Sequence, residues 1–262
     1  MKYLILFALL VLCTPVPVKA CHGADACTLD ERSYHLRLPD DWNGEAALPV
    51  LLHFHGWGRQ GDLIVNHQRI SGHTRRRGVL LIAPNGLGRT WDFWDEDSGD
   101  VGFAAAVIED VAKRFPIDRS RIYISGYSYG AAMAWRYVCE NGNGVAALLA
   151  ISGSLPQDEH CAQSPREVRQ VYGFNDDVMP FPMGPGRDEA FPVALWRAIY
   201  GCKDQQKLEA WQAVNWLTLD RRVWDCDRGR VVLDLHSGGH FIPHGWIGWQ
   251  LDQLMGREPR YP

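Results

Sequence analysis

No run of the 262-residue sequence is apolar for long enough to cross a bilayer; the stretch from Tyr3 to Cys13 ends in Pro15 and Pro17. A basic excess is also missing. The formal net charge is -4, and loss of the first twenty residues would remove Lys2 and Lys19 but no acid, which leaves no electrostatic case for nucleic acid. There is no Cys-x-x-Cys pair, and the histidines are not interleaved with cysteines at zinc-finger spacing, so a thiolate metal site is not expected. Internal repeats, charge blocks and Ser/Gly-rich linkers are absent too, which argues against an appended binding module. With 46% hydrophobic and 22% charged residues, the composition suits one globular α/β domain, expected over residues 21–262.

Residues 1–20 read as an export signal: Lys2, the apolar run, the proline break and a small residue at Ala20. Val18 and Ala20 fit the pattern before a signal-peptidase cut, which would make Cys21 the first mature residue. The Val18-Lys19-Ala20-Cys21 segment loosely resembles a lipoprotein box, but Lys19 suits that poorly, so a secreted or periplasmic product is preferred to one lipid-anchored through Cys21. Past the cut lie Cys21, Cys27, Cys139, Cys161, Cys202 and Cys226, an even number in a chain bound for an oxidising compartment, so three disulfides are expected. Six cysteines allow fifteen connectivities and spacing does not choose among them. Pairing sequence neighbours is the working expectation.

Tyr34 to Leu38 alternates as an antiparallel or edge strand would, whereas Pro49 to Phe54 and Val79 to Ala83 are nearly continuous apolar runs suited to buried parallel strands. Further strands are expected at Arg121 to Ser125, Ala147 to Ile151, Val168 to Tyr172 and Val231 to Leu235. Asp62 to Arg77 has mixed helical character. Val101 to Phe115 places Val101, Ala104, Ala105, Ile108, Val111 and Ala112 on one helical stripe, stopped by Pro116. The alternation predicts an α/β fold, a mostly parallel, doubly wound sheet flanked by helices.

Directly after the Arg121 to Ser125 strand comes Gly126-Tyr127-Ser128-Tyr129-Gly130, followed by a good helix opening. This is a G-x-S-x-G turn in a strand-turn-helix setting, where strain lifts the serine hydroxyl above the sheet and the flanking glycines avoid backbone collisions. A serine hydroxyl needs a base, and the base an acid that fixes its tautomer. Asp176 and Asp177 both follow the Val168 to Tyr172 strand, at the sheet edge where ligands bind in open α/β folds. His236, His240 and His244 follow the last strand. His240 sits on the Gly238-Gly239 turn and is favoured as the base; Gly238, Gly239 and Pro243 make one metal-binding helical face improbable. The loop His55-Gly56-Trp57-Gly58 after an early strand suits an oxyanion hole, with donors from the Trp57 and Tyr129 amides. His53 and His55 themselves are read as packing or hydrogen-bonding residues. Trp91 and Trp94, on the loop after Val79 to Ala83, and Phe241 beside the base are candidate substrate contacts.

These motifs together resemble the secreted polyhydroxybutyrate depolymerase-like esterases, a family that includes LpqC-type lipoproteins and related feruloyl and acetylxylan esterases. The likeness runs from about Tyr34 to Met255 and rests on His55 to Gly58, Asp100-Val101-Gly102-Phe103, Gly126 to Gly130, Gly173 to Pro180 and Gly238-Gly239-His240. It implies the α/β-hydrolase fold, Asp176 rather than Asp177 as the acid, and His240 as the base. It also implies Cys139 paired with Cys161 and Cys202 with Cys226. Tyr172 stands where the family carries His, and Phe241-Ile242 where it carries Thr-Trp; both border the expected pocket, so activity class transfers better than substrate. A polyhydroxyalkanoate or hydroxybutyrate ester, polymeric or oligomeric, is the first expected substrate, with feruloyl or acetyl groups of plant-wall polysaccharide as the alternative. A peptidase on the same fold and a secreted binding protein without catalysis are the remaining rivals. The expected chemistry needs no cofactor.

Overall fold

A computed structural model describes residues 21–155, 160–181, 191–203 and 206–261; the side chains of 206–208 and 213 are excluded. The expected signal segment 1–20 lies outside the described residues. Among the described residues ten strands form a single sheet in the order β1-β2-β4-β3-β5-β6-β7-β10-β9-β8. In chain order they are β1 (Cys27–Leu29), β2 (Arg32–Arg37), β3 (Leu48–Phe54), β4 (Leu80–Pro84), β5 (Ile117–Tyr127), β6 (Ala147–Ile151), β7 (Glu167–Gly173), β8 (Gln206–Val214), β9 (Leu217–Cys226) and β10 (Gly229–His236). The six central strands, β4-β3-β5-β6-β7-β10, run parallel, and antiparallel strands extend both edges.

Side chains alternate across the pleat. Val50, Leu52 and Phe54 of β3 therefore join one core with helices α3 (Gly99–Arg114), α4 (Tyr129–Asn141) and α5 (Phe191–Tyr200), whereas Leu51 joins the opposite core with α1 (Gly61–Val65) and α6 (Trp246–Leu254), on which α2 (Ser71–Arg75) packs. The doubly wound α/β architecture expected from the sequence is present. The Asp62 to Arg77 stretch is divided into two short helices, consistent with its mixed pattern, in which Leu63 is exposed. α3 is rolled slightly from the expected stripe, burying Phe103 and Val107 while Ala105 and Ala112 are only half-buried. It ends as expected: Phe115, preceding Pro116, is extended at φ -134°, ψ 143°, away from the helical region that a following proline disfavours. Among the described residues no helix is long and apolar enough to cross a membrane.

Strands β8 and β9 were not expected. Along β9 the inward positions are Leu217, Leu219, Arg221 and Val223, so a charged residue interrupts the apolar alternation. Arg221 is buried because Asp234 of β10, with no exposed side-chain surface, receives its guanidinium through two bonds of 2.8 and 2.7 Å. The indoles of Trp211 and Trp246 donate to the same carboxylate, and Gln250 and Gln253 of α6 link Arg221 to Arg169. The network fastens the antiparallel hairpin to the parallel core. Three disulfides, Cys21–Cys27, Cys139–Cys161 and Cys202–Cys226, join the expected neighbours.

Removing the carboxylate would leave the Arg221 charge buried and two indole N–H groups without acceptors. Asp234→Ala is expected to cost about 3–5 kcal/mol of unfolding free energy in urea titration. A loss below about 1 kcal/mol would show that the hairpin is held by its apolar face instead.

Candidate active site

The turn between β5 and α4 holds Ser128 at φ 58°, ψ -126°, a left-handed φ that costs a non-glycine residue about 1–3 kcal/mol. Two glycines make the turn sterically feasible. A Cβ on Gly126 would lie 1.9 Å from the Gly130 carbonyl oxygen, and one on Gly130 would lie 2.1 Å from the Phe54 carbonyl oxygen. The Ser128 amide donates to the Ile151 carbonyl at 3.0 Å, and the Ser128 carbonyl accepts from the Ala131 and Ala132 amides. Ser128 is 8% exposed, and its hydroxyl donates to Met179 Sδ at 3.6 Å; it is not hydrogen-bonded to His240 in this conformation.

Asp176 and His240 lie on the loops that leave the C-terminal ends of parallel neighbours β7 and β10. The loops are joined backbone to backbone: the Phe174 amide donates to the His236 carbonyl and the Asn175 amide to that of Gly238, while a Cβ on Gly173 would lie 2.2 Å from the Gly238 oxygen. Across this junction His240 Nδ1 meets Asp176 Oδ2 at 2.6 Å. The other oxygen of Asp176 accepts from the Val178 and Met179 amides at 3.1 and 2.8 Å, so the buried carboxylate is held at both ends. Asp177 is exposed and is not brought to His240. The histidines of the last loop separate: His236 Nδ1 accepts from the Gly238 amide, His240 takes the carboxylate, and His244 lies edge-on to Trp216. Tyr127 was not singled out from the sequence, yet its ring packs 4.8 Å from the His240 ring and its hydroxyl donates to the His240 carbonyl at 3.0 Å. Its place inside the G-x-S-x-G turn was the available signal.

The loop after β3 approaches Ser128 from the other side, with Gly56 Cα positioned so that a Cβ there would be 3.6 Å from the Ser128 Cβ. His55 fixes this loop. Its Nδ1 lies 2.9 Å from the Gly56 carbonyl and its Nε2 accepts from the Gly86 amide at 3.0 Å. Burial pushes His55 down to about 4, so the neutral ring carries its proton on Nδ1 and donates it to Gly56. His53 is fully buried against Ser125 Oγ at 2.9 Å. Trp57 is 69% exposed, and Tyr129 opens α4, where a first-turn N–H has no intrahelical acceptor. Trp91 requires a correction. It is 2% exposed, donates to the His55 carbonyl at 2.8 Å and packs on Phe54, so it supports the loop from within the core and is not available to substrate. Trp94 is 62% exposed and packs on Phe93 at a tilt of 36°, and Phe93 in turn touches Tyr129; Phe241 is half-buried against His236.

Residues 102–195, which contain Ser128 and Asp176, match the phospholipase/carboxylesterase family. A protein named probable feruloyl esterase C from Aspergillus niger is 27% identical over 168 residues, covering 62% of each chain. Feruloyl esterase C of Emericella nidulans is 26% identical over 161 residues, covering 60% of this chain and 59% of the relative. The aligned region thus spans about three fifths of the length of these relatives. The acetyl xylan esterase from Aspergillus awamori superposes with a TM-score of 0.67 at 15% identity, covering 86% of this chain and 94% of that one. The fold is that of these α/β-hydrolase esterase structures, and the relatives the chain matches are named as esterases.

Burial lowers His53 to about 3 and His55 and His236 to about 4, against 6.5 for the free side chain. Between those values the unfolded chain binds protons that the folded chain does not, so the stability they contribute is full above pH 6.5 and is lost as pH falls toward 4 and below. Calorimetric unfolding at pH 5 is expected to take up protons and to occur at lower temperature than at pH 7.5. An unchanged transition between these pH values would contradict the neutral assignment of the three rings.

Proposed function

We propose that the protein is a serine carboxylic-ester hydrolase in which Ser128 is the nucleophile, His240 the general base and Asp176 the acid. The observation that carries this reading is the 2.6 Å contact between His240 Nδ1 and the doubly anchored Asp176, alongside a serine held in a strained turn. As Ser128 Oγ attacks the ester carbonyl, its proton passes to His240 Nε2, while Asp176 holds the Nδ1–H and balances the imidazolium charge. The Trp57 and Tyr129 amides donate to the developing oxyanion. Collapse of the tetrahedral adduct breaks the ester C–O bond, His240 returns the proton to the leaving alcohol, and water releases the acyl group from Ser128 by the reverse sequence. The hydroxyl must first leave Met179 Sδ and turn toward His240; such contacts often tighten only when substrate binds.

For substrate, feruloyl or acetyl esters of plant-wall polysaccharide are favoured over polyhydroxyalkanoate. The support is the names of the proteins it resembles, feruloyl esterase C and acetyl xylan esterase, together with exposed aromatic side chains on the neighbouring loops: Trp57 beside Gly56, Trp94 on Phe93, and Phe174 two residues before Asp176. Export as a secreted or periplasmic protein is supported by the three disulfides, which persist in oxidising compartments.

Purified mature protein is expected to hydrolyse methyl ferulate or acetylated xylan in preference to hydroxybutyrate oligomers, with p-nitrophenyl acetate as a generic ester. Ser128→Ala should lower kcat by about 10⁵-fold or more. Dominant turnover of hydroxybutyrate oligomers would restore the polyester reading, and absence of Ser128-dependent turnover on every ester would move the protein to a peptidase or a binding protein. Asp176→Ala should lower kcat/KM by about 10³-fold or more, whereas Asp177→Ala should stay within about threefold. The opposite ranking would sink the assignment of the acid.

A further inference from the structure

A cleft of about 610 Å³ opens after β4, lined by Arg32, Leu87, Thr90, Asp92, Trp94 and Asp100, with the buried Trp91 behind them. In the sheet order β2-β4-β3-β5, it stands two strands from β5, which Ser128 directly follows, with the His55 to Gly58 loop between. Two strand spacings are about 10 Å. An acetyl group held at Ser128 is too short to reach that far, whereas the chain that carries the ester can.

The cleft mixes an aromatic surface with charged groups. Trp94 and Leu87 are 62% and 65% exposed. One face of the Trp94 ring rests on Phe93, with centroids 4.3 Å apart, and Phe93 touches Tyr129, the residue after the nucleophile. Opposite lie the exposed carboxylate of Asp92, the Thr90 hydroxyl, and Arg32, whose guanidinium is paired with Asp100 at 2.6 Å and sits 3.8 Å over the Phe103 ring. Among the described residues the Arg32 Nε–H is buried without a hydrogen-bond partner. The walls are fixed before any ligand arrives: the Asp92 amide donates to Asp100 Oδ2 at 2.7 Å, the Ser98 hydroxyl donates to the Asp92 carbonyl, and buried Arg136 of α4 donates to the Phe93 carbonyl.

That combination suits a sugar better than a phenolic ring or a hydroxyalkanoate chain. A pyranose presents an apolar C–H face, which an exposed indole covers, and a belt of hydroxyls, which carboxylate, guanidinium and hydroxyl groups satisfy. A purely apolar or aromatic occupant would desolvate Asp92 and leave it without a partner, at a cost that burial of its own surface must offset. We propose that this cleft is a saccharide subsite that holds the polysaccharide backbone of the ester substrate, with Trp94 as its platform and Asp92, Thr90 and Arg32 as its polar contacts. It deepens the esterase reading and rests on it for the kinetic part of its test.

The first measurement is binding of unesterified β-1,4-xylo-oligosaccharide to the full Ser128→Ala chain, followed by calorimetry and tryptophan fluorescence. Saturable binding is expected, weakened at least tenfold by Trp94→Ala and by Asp92→Ala but unchanged by Trp216→Ala, an exposed tryptophan on the β8–β9 turn. Thermal melting of each variant verifies that it is folded. The second is the ratio of kcat/KM on feruloylated xylo-oligosaccharide to that on methyl ferulate, which Trp94→Ala should reduce at least tenfold, chiefly through KM. Saccharide binding that depends on Trp94 in a protein with no esterase turnover would keep the subsite and overturn the hydrolase reading. Esterase turnover without saccharide binding, or binding indifferent to both substitutions, would overturn the subsite.

Discussion

The close approach of three backbones at the β5–α4 turn governs the geometry of the whole site. Gly130 packs against the carbonyls of Phe54 and His55 at distances that admit no side chain, so the end of β3 and the start of α4 are locked together. The turn that holds Ser128 in its left-handed conformation therefore also sets where the His55 to Gly58 loop stands relative to the serine. Ser128 and the loop that carries Trp57 are positioned by one event. The strain at Ser128 is small beside the packing of buried strands β3, β5 and β6 on either side, which over-determine its conformation.

Histidine chemistry divides along the same lines of burial. His55 spends both ring nitrogens on the backbone, with Nδ1–H given to Gly56 and Nε2 taken by Gly86, and stays neutral because charging it would place an ion in the core. His236 spends Nδ1 on the Gly238 amide, and its Nε2 is buried. His240 differs in having a carboxylate on Nδ1 and a side chain that still reaches solvent. A proton shuttle needs both a partner that stabilises the charged ring and an edge open to substrate, and among these three only His240 has both.

The parts of the structure that could be read from the sequence are those encoded by adjacent residues. The strand-turn-helix context of Ser128, the glycines that precede His240 and the continuous apolar runs of β3, β4 and β6 each depend on a local conformational rule, so position in the chain sufficed. Asp176 could be separated from Asp177 only through the family resemblance, because their difference is one of burial, decided by amides two and three residues later. β9 escaped because Arg221 occupies an inward position that apolar alternation would have assigned to a hydrophobe; its partner Asp234 is thirteen residues away on another strand. Trp91 was misplaced for a related reason. A loop tryptophan near a site has no local signal that says whether its ring faces solvent or the carbonyl of a residue thirty-six positions earlier.

These dependencies set how far the chemistry and the choice of substrate can vary separately. On the β4 side they are nearly independent, since Trp94 reaches Tyr129 only through Phe93, and changes at the exposed ring leave the backbone of the turn supported by Gly130 and β3. The β7 side is different. The Asp176 carboxylate is oriented by the amides of Val178 and Met179, while the Met179 side chain touches the Ser128 hydroxyl and the Met179 carbonyl accepts from Tyr172. Any change of loop conformation there that reshapes the pocket also moves the acid. Tyr172, one of the two departures from the family pattern, lies beneath that loop, so its hydroxyl acts on the acid and the pocket through the same carbonyl.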